Sequence, residues 1–273
     1  MRKYYKDFIE YDESDEELEY YFRMNAEWNE ESFNKLYSIL MSFFENCKNE
    51  KEIPEQIDYF FTNTISRIIG IMSKPEFCNS NIIKLYNSKS NNNEHLVNFI
   101  KNKISILNRL KEIYNNKLFL IYCFFYGYDH PLSQWYTSNF VINDINFTSA
   151  EQWMMYSKAK LFNDSEKMIE ILNELNPSNQ RKLGRQIKSF KEDIWLSKRR
   201  EIIYKGNYAK FSQNEDLKSF LKNTNKMILA EASPVDLIWG IGYSINNLER
   251  FDQNNWRGLN LLGEILMDIR EKI

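Results

Sequence analysis

Apolar side chains recur every three or four residues along much of this 273-residue chain, and that spacing restricts it to a largely helical fold. The spacing predicts helices over residues 31–48 and 55–73, and a long amphipathic helix that ends near Asn115. No residue pattern in this part has catalytic spacing. We therefore expect residues 1–115 to form an α-helical accessory domain, with the binding of a protein partner as an alternative role. The apolar positions of the long helix are Leu96, Phe99, Ile100, Ile104, Leu107, Leu110 and Tyr114.

Two polar stretches interrupt this pattern. The first 32 residues hold eleven Asp and Glu against four Lys and Arg, which is typical of a solvated, partly ordered lead-in. An acidic surface that repels or mimics nucleic acid is the alternative. Residues 87–93 read NSKSNNN and predict a polar loop.

Composition excludes several classes of protein. Aromatic residues make up 15% of the chain, which is ample for packed cores and argues against wholesale disorder. The net charge is -2, whereas proteins that bind nucleic acid non-specifically usually carry an excess of positive charge. Three widely spaced cysteines and two distant histidines predict neither a disulfide framework nor a structural zinc site. We therefore expect no metal and no cofactor.

The sequence predicts no targeting or membrane segment. The N-terminus has no apolar stretch of the kind found in secretory signals. The longest apolar run, residues 118–128, is well short of the roughly 20 residues that span a bilayer. We therefore expect a cytoplasmic protein without a membrane partner.

The pattern changes in the second half of the chain. A continuous apolar run over residues 119–126 predicts a buried strand. Alternating residues over 140–147 predict a short strand pair with a turn at Asn143-Asp144. We expect residues 116–273 to form a second domain that is α+β in class, mostly helical, with small strand elements. Its predicted helices begin at Ser149, which can cap the first of them, and then cover residues 165–175, 177–190, 192–204, 214–223 and part of 258–273.

Helical geometry brings two ionisable residues of this second domain together. Glu151 and Lys158 are seven residues apart, which places them two turns along one helix face, where both can point into one pocket. A carboxylate held there can act as a general acid or base, or stabilise a cationic transition state. A nearby lysine or arginine can bind phosphate, and neighbouring tryptophans can stack on a nucleobase or a ribose.

Short polar and aromatic motifs follow one another in order through the second domain. They are Phe124–Gly127, Leu132–Tyr136, Ala150–Gln152, Lys158-Ala159, Gly184-Arg185, Trp195 with Arg199, Lys210–Asn214, Glu231–Gly242 and Trp256–Gly263. Each motif alone is weak, but the ordered set closely resembles the NADAR superfamily, also called YbiA-like, over about residues 119–273. Thr137 departs from the pattern at a position where proline is frequent, and this difference affects loop geometry more than chemistry.

The resemblance implies an N-glycosidase, an enzyme that hydrolyses the C1–N bond of a ribosyl group. Two substrate classes are implied: ADP-ribose attached to guanine in nucleic acid or a nucleotide, and a ribosylaminopyrimidine phosphate of early riboflavin biosynthesis. The Ser-Gln-Trp-Tyr variant, Ser133 to Tyr136, looks closer to the ADP-ribose branch. A non-catalytic sensor of ADP-ribose or NAD is the alternative from another functional class, and the intact Glu151 motif argues against it.

The resemblance also implies roles for individual residues. Glu151 is the expected catalytic carboxylate, while Lys158, Asp236 or a water can protonate the leaving nitrogen. Arginines of the set are expected to bind phosphate, and tryptophans are expected to form pocket walls. The expected substrate-binding residues are Gln134, Trp135, Arg185, Arg199, Glu231, Trp239, Gly240, Trp256 and Asn260. Purely structural roles are the alternatives, such as a helix cap for Asn260. We expect Trp195 and Trp153 to be core residues.

Overall fold

A computed structural model of the chain describes residues 2–25, 28–47, 52–74 and 93–273. It divides into two compact units, Met1–Leu120 and Ile121–Ile273. The division lies beyond the boundary expected at residue 115 because the Phe119 ring packs on Phe44 within the first unit, with ring centroids 5.3 Å apart. The loop expected over residues 87–93 lies outside the described residues up to residue 92. Within the described ranges, no helix is both long enough and apolar enough to cross a membrane.

The described part of the first unit is helical, as the apolar spacing predicts. A π-helical turn, Phe60–Thr64, interrupts the helix expected over residues 55–73. Aromatic rings fill the core, and the closest pair is Phe61 and Tyr114, whose rings stack with centroids 4.1 Å apart. The helices are α1 (Lys3–Asp12), α2 (Leu18–Asn25), α3 (Glu30–Asn46), α4 (Glu55–Tyr59), α5 (Ile65–Met72) and α6 (Asn93–Asn115).

The expectation of a solvated acidic lead-in is wrong. The first described residues form α1 and α2, and Tyr4, Phe8 and Tyr11 of α1 are buried. These three aromatic residues are spaced by four and three, so they share one helix face while the acidic residues occupy the other. The Tyr4 ring lies 5.7 Å from the Phe43 ring of α3. The expectation considered the excess of acidic residues and not the spacing of the aromatic residues, which predicts an amphipathic helix.

The second unit surrounds two short sheets with helices, and the predicted α+β, mostly helical class is confirmed. Strand β1 (Tyr122–Phe125) pairs in parallel with β4 (Ile228–Glu231), and Phe125 lies opposite Glu231. Strand β2 (Phe140–Ile142) pairs antiparallel with β3 (Ile145–Phe147). The helices are α7 (Ala150–Leu161), α8 (Ser165–Asn173), α9 (Pro177–Gly184), α10 (Glu192–Ser212), α11 (Glu215–Asn223) and α12 (Leu261–Arg270).

Local signals in the sequence account for several of these boundaries. Asn143 and Asp144 form the turn between β2 and β3 with φ angles of 51° and 63°, a conformation that Asn and Asp tolerate well. Ser149 caps α7 by accepting a hydrogen bond from the N–H of Gln152, at 3.0 Å. The turn and the cap expected from the sequence are both confirmed.

Other boundaries differ from those expected. Strand β1 is shorter than the run over 119–126, because residues Leu118–Leu120 form a 3₁₀ turn. Helix α9 ends at Gly184, and α10 continues to Ser212. Strand β4 was not predicted. Its four residues are too few to carry a clear period of their own, and its parallel partner lies more than a hundred residues earlier in the chain.

Candidate active site

A cavity of about 550 Å³ lies where β1 and β4 end and α7 begins. Tyr126, Gly127 and Tyr128, which directly follow β1, line it together with Glu231, the last residue of β4. The carboxyl ends of adjacent parallel strands are a common location for ligand sites, and the volume falls in the usual range for small-molecule pockets. We therefore take this cavity as the candidate active site.

Most of the residues predicted from the sequence meet in this cavity. The three expected catalytic residues, Glu151, Lys158 and Asp236, all line it. Helix α7 carries the first two on one face, as their spacing of seven residues predicts. The expected substrate-binding residues that line the cavity are Gln134, Trp135, Arg185, Glu231 and Trp239.

Four expected substrate-binding residues are not among those that line the cavity. The Arg199 guanidinium lies 5.7 Å from the ring centroid of Trp239, which does line the cavity. The indole N–H of Trp256 donates to the carbonyl oxygen of Arg250 at 2.8 Å. Gly240 lets its own backbone pack closely against the end of β4, because a Cβ atom at this position would lie 2.8 Å from the Glu231 carbonyl oxygen. The Asn260 side chain binds the backbone at the end of β4.

Glu151 occupies the first turn of α7 and is only 2% exposed. Its N–H donates to the carbonyl oxygen of Gln134 at 3.0 Å, which ties the helix start to the loop that carries Trp135. The Trp135 side chain lowers the pKa of the carboxyl group, and Oε1 is buried without a hydrogen-bond partner. Burial raises the pKa of Glu151 to about 7, against the opposing effects of the Arg181 charge and the Trp135 side chain.

A buried lysine holds the loop that carries Gln134 and Trp135. Lys210 of α10 is fully buried, and its Nζ donates to the carbonyl oxygens of Pro131 and Ser133, each at 2.7 Å. Burial lowers the pKa of Lys210 to about 7, and a neutral amine still has the two N–H groups that these bonds use. Lys210 lies in one of the motifs of the ordered set, but the sequence assigned it no role.

Replacing Lys210 with methionine is expected to destabilise the chain by about 2–4 kcal/mol, because two carbonyl oxygens lose their donor. The loop would also move away from Glu151. Urea denaturation measures the change in the free energy of unfolding. Lys198→Met, at an exposed position of the same helix, is the matched control and is expected to cost little. Equal effects of the two substitutions would contradict this role for Lys210.

A second buried carboxyl group faces the cavity from β4. Glu231 is partly exposed as a residue, but its Oε2 is buried without a hydrogen-bond partner. Burial raises the pKa of Glu231 to about 8, and the negative charges of Asp236 and Glu151 add to this effect. The Asn260 side chain fixes the strand end by accepting from the Glu231 N–H at 3.1 Å and donating to the Leu229 carbonyl oxygen at 2.8 Å.

Asp236 and Lys158, the expected catalytic residues besides Glu151, both have protein partners. Asp236 Oδ1 accepts from the N–H groups of Ile238 and Trp239 at 3.0 and 2.9 Å. Its Oδ2 lies 3.7 Å from the Arg181 guanidinium. Lys158 Nζ donates to the Gly184 carbonyl oxygen at 3.0 Å. Burial lowers the pKa of Lys158, and the Arg185 charge contributes in the same direction.

The cavity also contains residues that the sequence analysis missed. Arg181 of α9 lines it together with Arg185, the residue that directly follows the helix. Tyr126 and Tyr128 line it and are exposed, Tyr128 to 75%. Trp195 was expected to be a core residue, but it is only partly buried and lines the cavity. Within the described ranges, no cluster of His, Cys, Asp and Glu is placed to hold a metal ion.

The raised pKa of Glu151 predicts how stability depends on pH. The folded chain holds this proton more tightly than the unfolded chain, whose carboxyl has a pKa near 4.5. Its contribution to stability is therefore fully present below about pH 4.5 and is lost as the pH rises through about 7. Glutamine cannot ionise. The free energy of unfolding of Glu151→Gln is therefore expected to rise relative to that of the wild type by about 3 kcal/mol between about pH 4 and about pH 9.

Urea denaturation of the wild type and of Glu151→Gln at both pH values measures this difference. Glu192→Gln, an exposed carboxylate in the first turn of α10, is the matched control and is expected to show no such change. A Glu151→Gln difference that is the same at both pH values would contradict the raised pKa.

Comparison with known proteins identifies the second unit. Residues 124–273, more than half of the chain, match the family model of the NADAR domain. The chain belongs to the NADAR family. The resemblance that the ordered motifs suggested is thus confirmed, and the candidate active site lies within the matched NADAR region.

Curated relatives share this NADAR region. Protein irg-1 of Caenorhabditis elegans is 43% identical over 131 residues, which cover 47% of this chain and 62% of that protein, less than two thirds of its length. N-glycosidase R617 of Acanthamoeba polyphaga mimivirus is 40% identical over 162 residues, covering 55% of this chain and 95% of that protein. The chloroplastic riboflavin biosynthesis protein PYRR of Zea mays is 31% identical over 118 residues, covering 40% of this chain and 17% of that protein.

Proposed function

We propose that this NADAR chain is an N-glycosidase that hydrolyses the C1–N bond of a ribosyl group. One observation carries the proposal: Gln134, Glu151 and Glu231 line the same cavity, and each has a buried polar side-chain atom without a protein partner. Such atoms cost stability unless a ligand uses them. The name of the mimivirus relative, N-glycosidase, supports the same activity.

The site chemistry fits cleavage of a ribosyl bond. As the C1–N bond breaks, positive charge develops on the ribose ring. The Glu151 carboxylate, which is only 2% exposed, stabilises that charge and orients a water molecule toward C1. The Trp135 side chain favours the ionised form of this carboxyl group. The Gln134 amide supplies a free donor and a free acceptor for substrate hydroxyl groups or a base edge.

The proposed substrate is ADP-ribose attached to guanine, in nucleic acid or in a nucleotide. Arg181 and Arg185 line the cavity together, and a pair of guanidinium groups suits a diphosphate. Tyr126 and Tyr128 present exposed rings at the cavity, where a base can stack. The Trp195 and Trp239 rings provide further flat surfaces for the adenine or the ribose.

A ribosylaminopyrimidine phosphate of riboflavin biosynthesis is the second candidate substrate. The observation that favours it is the name of the maize relative, a riboflavin biosynthesis protein. This substrate carries one phosphate, so one arginine of the pair would suffice to bind it. The same Glu151 chemistry would apply at its C1–N bond.

One experiment distinguishes the candidates. The purified full chain is incubated separately with ADP-ribosylated DNA, ADP-ribosyl guanosine and the ribosylaminopyrimidine phosphate, and the products are measured by chromatography and mass spectrometry. Release of ADP-ribose supports the proposal, and release from the pyrimidine substrate alone supports the second candidate. Binding of ADP-ribose or NAD without turnover of any substrate would overturn the enzymatic proposal in favour of a sensor.

A further inference from the structure

The group that protonates the departing base is the missing part of this mechanism. A base nitrogen that leaves without a proton departs as an anion, so a general acid within reach accelerates cleavage. The sequence left Lys158, Asp236 and a water as alternatives. The identity of this acid rests on the proposed function. The contacts of each carboxyl and amino group at the cavity distinguish the candidates.

Asp236 is engaged by its own loop. Its Oδ1 accepts from the N–H groups of Ile238 and Trp239, and its Oδ2 faces Arg181. These contacts stabilise the loop after Ser233, whose Oγ accepts from the Asp236 N–H at 3.2 Å. They commit Oδ1 to the loop backbone and place Oδ2 beside the Arg181 charge, so the role that fits Asp236 is to position the loop and Arg181.

Lys158 is engaged at the end of α9. Its Nζ donates to the Gly184 carbonyl oxygen, and it lies 4.3 Å from the ring centroid of Phe190 and 5.8 Å from that of Trp195. The amino group therefore joins α7 to the end of α9. This position suits the binding of a substrate phosphate or hydroxyl group beside Arg185.

Glu231 has a rigid backbone and an uncommitted side chain. Its backbone is held by the pairing of β4 with β1 and by the Asn260 amide. Its carbonyl oxygen accepts from the N–H of Ile241 at 2.9 Å. The side chain lines the cavity, yet its buried Oε2 has no protein partner. A carboxyl group held this way needs a proton, or a ligand that shares one.

We propose that Glu231 is the general acid that protonates the departing base, while Glu151 faces the ribose. In this step the C1–N bond breaks, its electron pair goes to the base nitrogen, and the Glu231 proton moves to the base. A water oxygen bonds to C1, and the proton that this water loses passes to the Glu151 carboxylate. Proton exchange with solvent then returns Glu151 to its ionised form and Glu231 to its protonated form. One water is consumed for each bond cleaved.

The electrostatics of the cavity support this division of roles. Burial and the charges of Asp236 and Glu151 raise the pKa of Glu231 to about 8, while the Arg181 charge opposes them. Arg181, Trp135 and Arg185 moderate the rise for Glu151, whose pKa is about 7. The Arg185 charge and the Trp135 side chain lower the pKa of Glu151 and not that of Glu231, so the first proton lost from the pair comes from the Glu151 site.

A series of leaving groups tests this role. The wild type and Glu231→Gln are assayed on the N-ribosyl substrate that the wild type hydrolyses. They are also assayed on aryl ribosides with the same 5-phosphoryl group, from phenyl to 4-nitrophenyl. Glu231→Gln is expected to lower kcat on the N-ribosyl substrate roughly 10²–10⁴-fold. Its kcat on the 4-nitrophenyl riboside is expected to stay within a few-fold of the wild type, because nitrophenolate leaves without a proton.

The pH profile separates an acid from a residue that merely binds the base. The fall of wild-type kcat/KM on the alkaline side is expected to disappear in Glu231→Gln and to persist in Glu231→Asp, which keeps a carboxyl group. Glu215→Gln, at an exposed position of α11, is the control and is expected to match the wild type. If Glu231→Gln does not fold, Glu231→Asp and the wild-type alkaline limb decide the question.

The outcomes are distinguishable. Equal losses of kcat on all leaving groups, a rise in KM alone, or an unchanged alkaline limb would overturn the role of Glu231 and leave the N-glycosidase intact. Failure of the wild type to cleave any of the ribosyl substrates would overturn the proposed function itself, and with it this role.

Discussion

Replacing Glu151 with glutamine is expected to lower kcat for ribosyl hydrolysis by roughly 10³-fold and to leave KM within a few-fold of the wild type. Glutamine matches the shape of the side chain but has no negative charge to stabilise the ribosyl cation. Its amide can still occupy the buried position at the start of α7. The measurement is kcat and KM at about pH 8, where the wild-type carboxyl is mostly ionised.

The same variant separates catalysis from stability. Glu151→Gln is expected to be more stable than the wild type at alkaline pH, so a loss of activity there cannot come from unfolding. Glu192→Gln, which removes an exposed carboxylate from the first turn of α10, is expected to keep wild-type activity. A Glu151→Gln protein that retains more than a tenth of wild-type kcat would remove Glu151 from the catalytic role.

Replacing Gly263 with alanine is expected to destabilise the second unit by about 3 kcal/mol or more, because the added methyl group has no space. Gly263 lies in the first turn of α12, and a Cβ atom there would collide with the Leu229 carbonyl oxygen and with the Asn260 side chain. Those two groups are already joined by a hydrogen bond of 2.8 Å, so neither can move freely. Urea denaturation and thermal unfolding of the full chain measure the loss.

The Gly263→Ala variant has a consequence for the site and a matched control. The Asn260 side chain also holds the N–H of Glu231, so its displacement is expected to lower activity as well as stability. Gly70, in α5, has open space around it, because a Cβ atom there would meet no other atom within 4 Å. Gly70→Ala is expected to stabilise its helix by about 0.5–1 kcal/mol. Similar effects of the two substitutions would show that α12 does not press against the end of β4.

Part of the site was predictable because its residues are close in sequence. Glu151 and Lys158 lie on one helix, so a spacing of seven residues is enough to place them on the same face. The ordered motifs also predicted Gln134, Trp135 and Asp236 as site residues, and all three line the same cavity. Arg181 was missed although it lies four residues before Arg185. That interval is a helical signal, but only the packing of α9 decides which face meets the cavity.

Local physical chemistry let the sequence alone determine the helical periods, the cap at Ser149, the turn at Asn143-Asp144, and the motif order that identified the NADAR family. The periods, the cap and the turn depend on residues a few positions apart, and the order of the motifs is read directly from the sequence. Only the tertiary structure decided that β4 pairs with β1 and brings Glu231 beside Glu151, and that Lys210 is buried under the loop before α7. It also decided that the pKa values of both carboxyl groups are raised. Burial and the distances between charges set those values, and both depend on segments that are far apart in the chain and meet only when it folds.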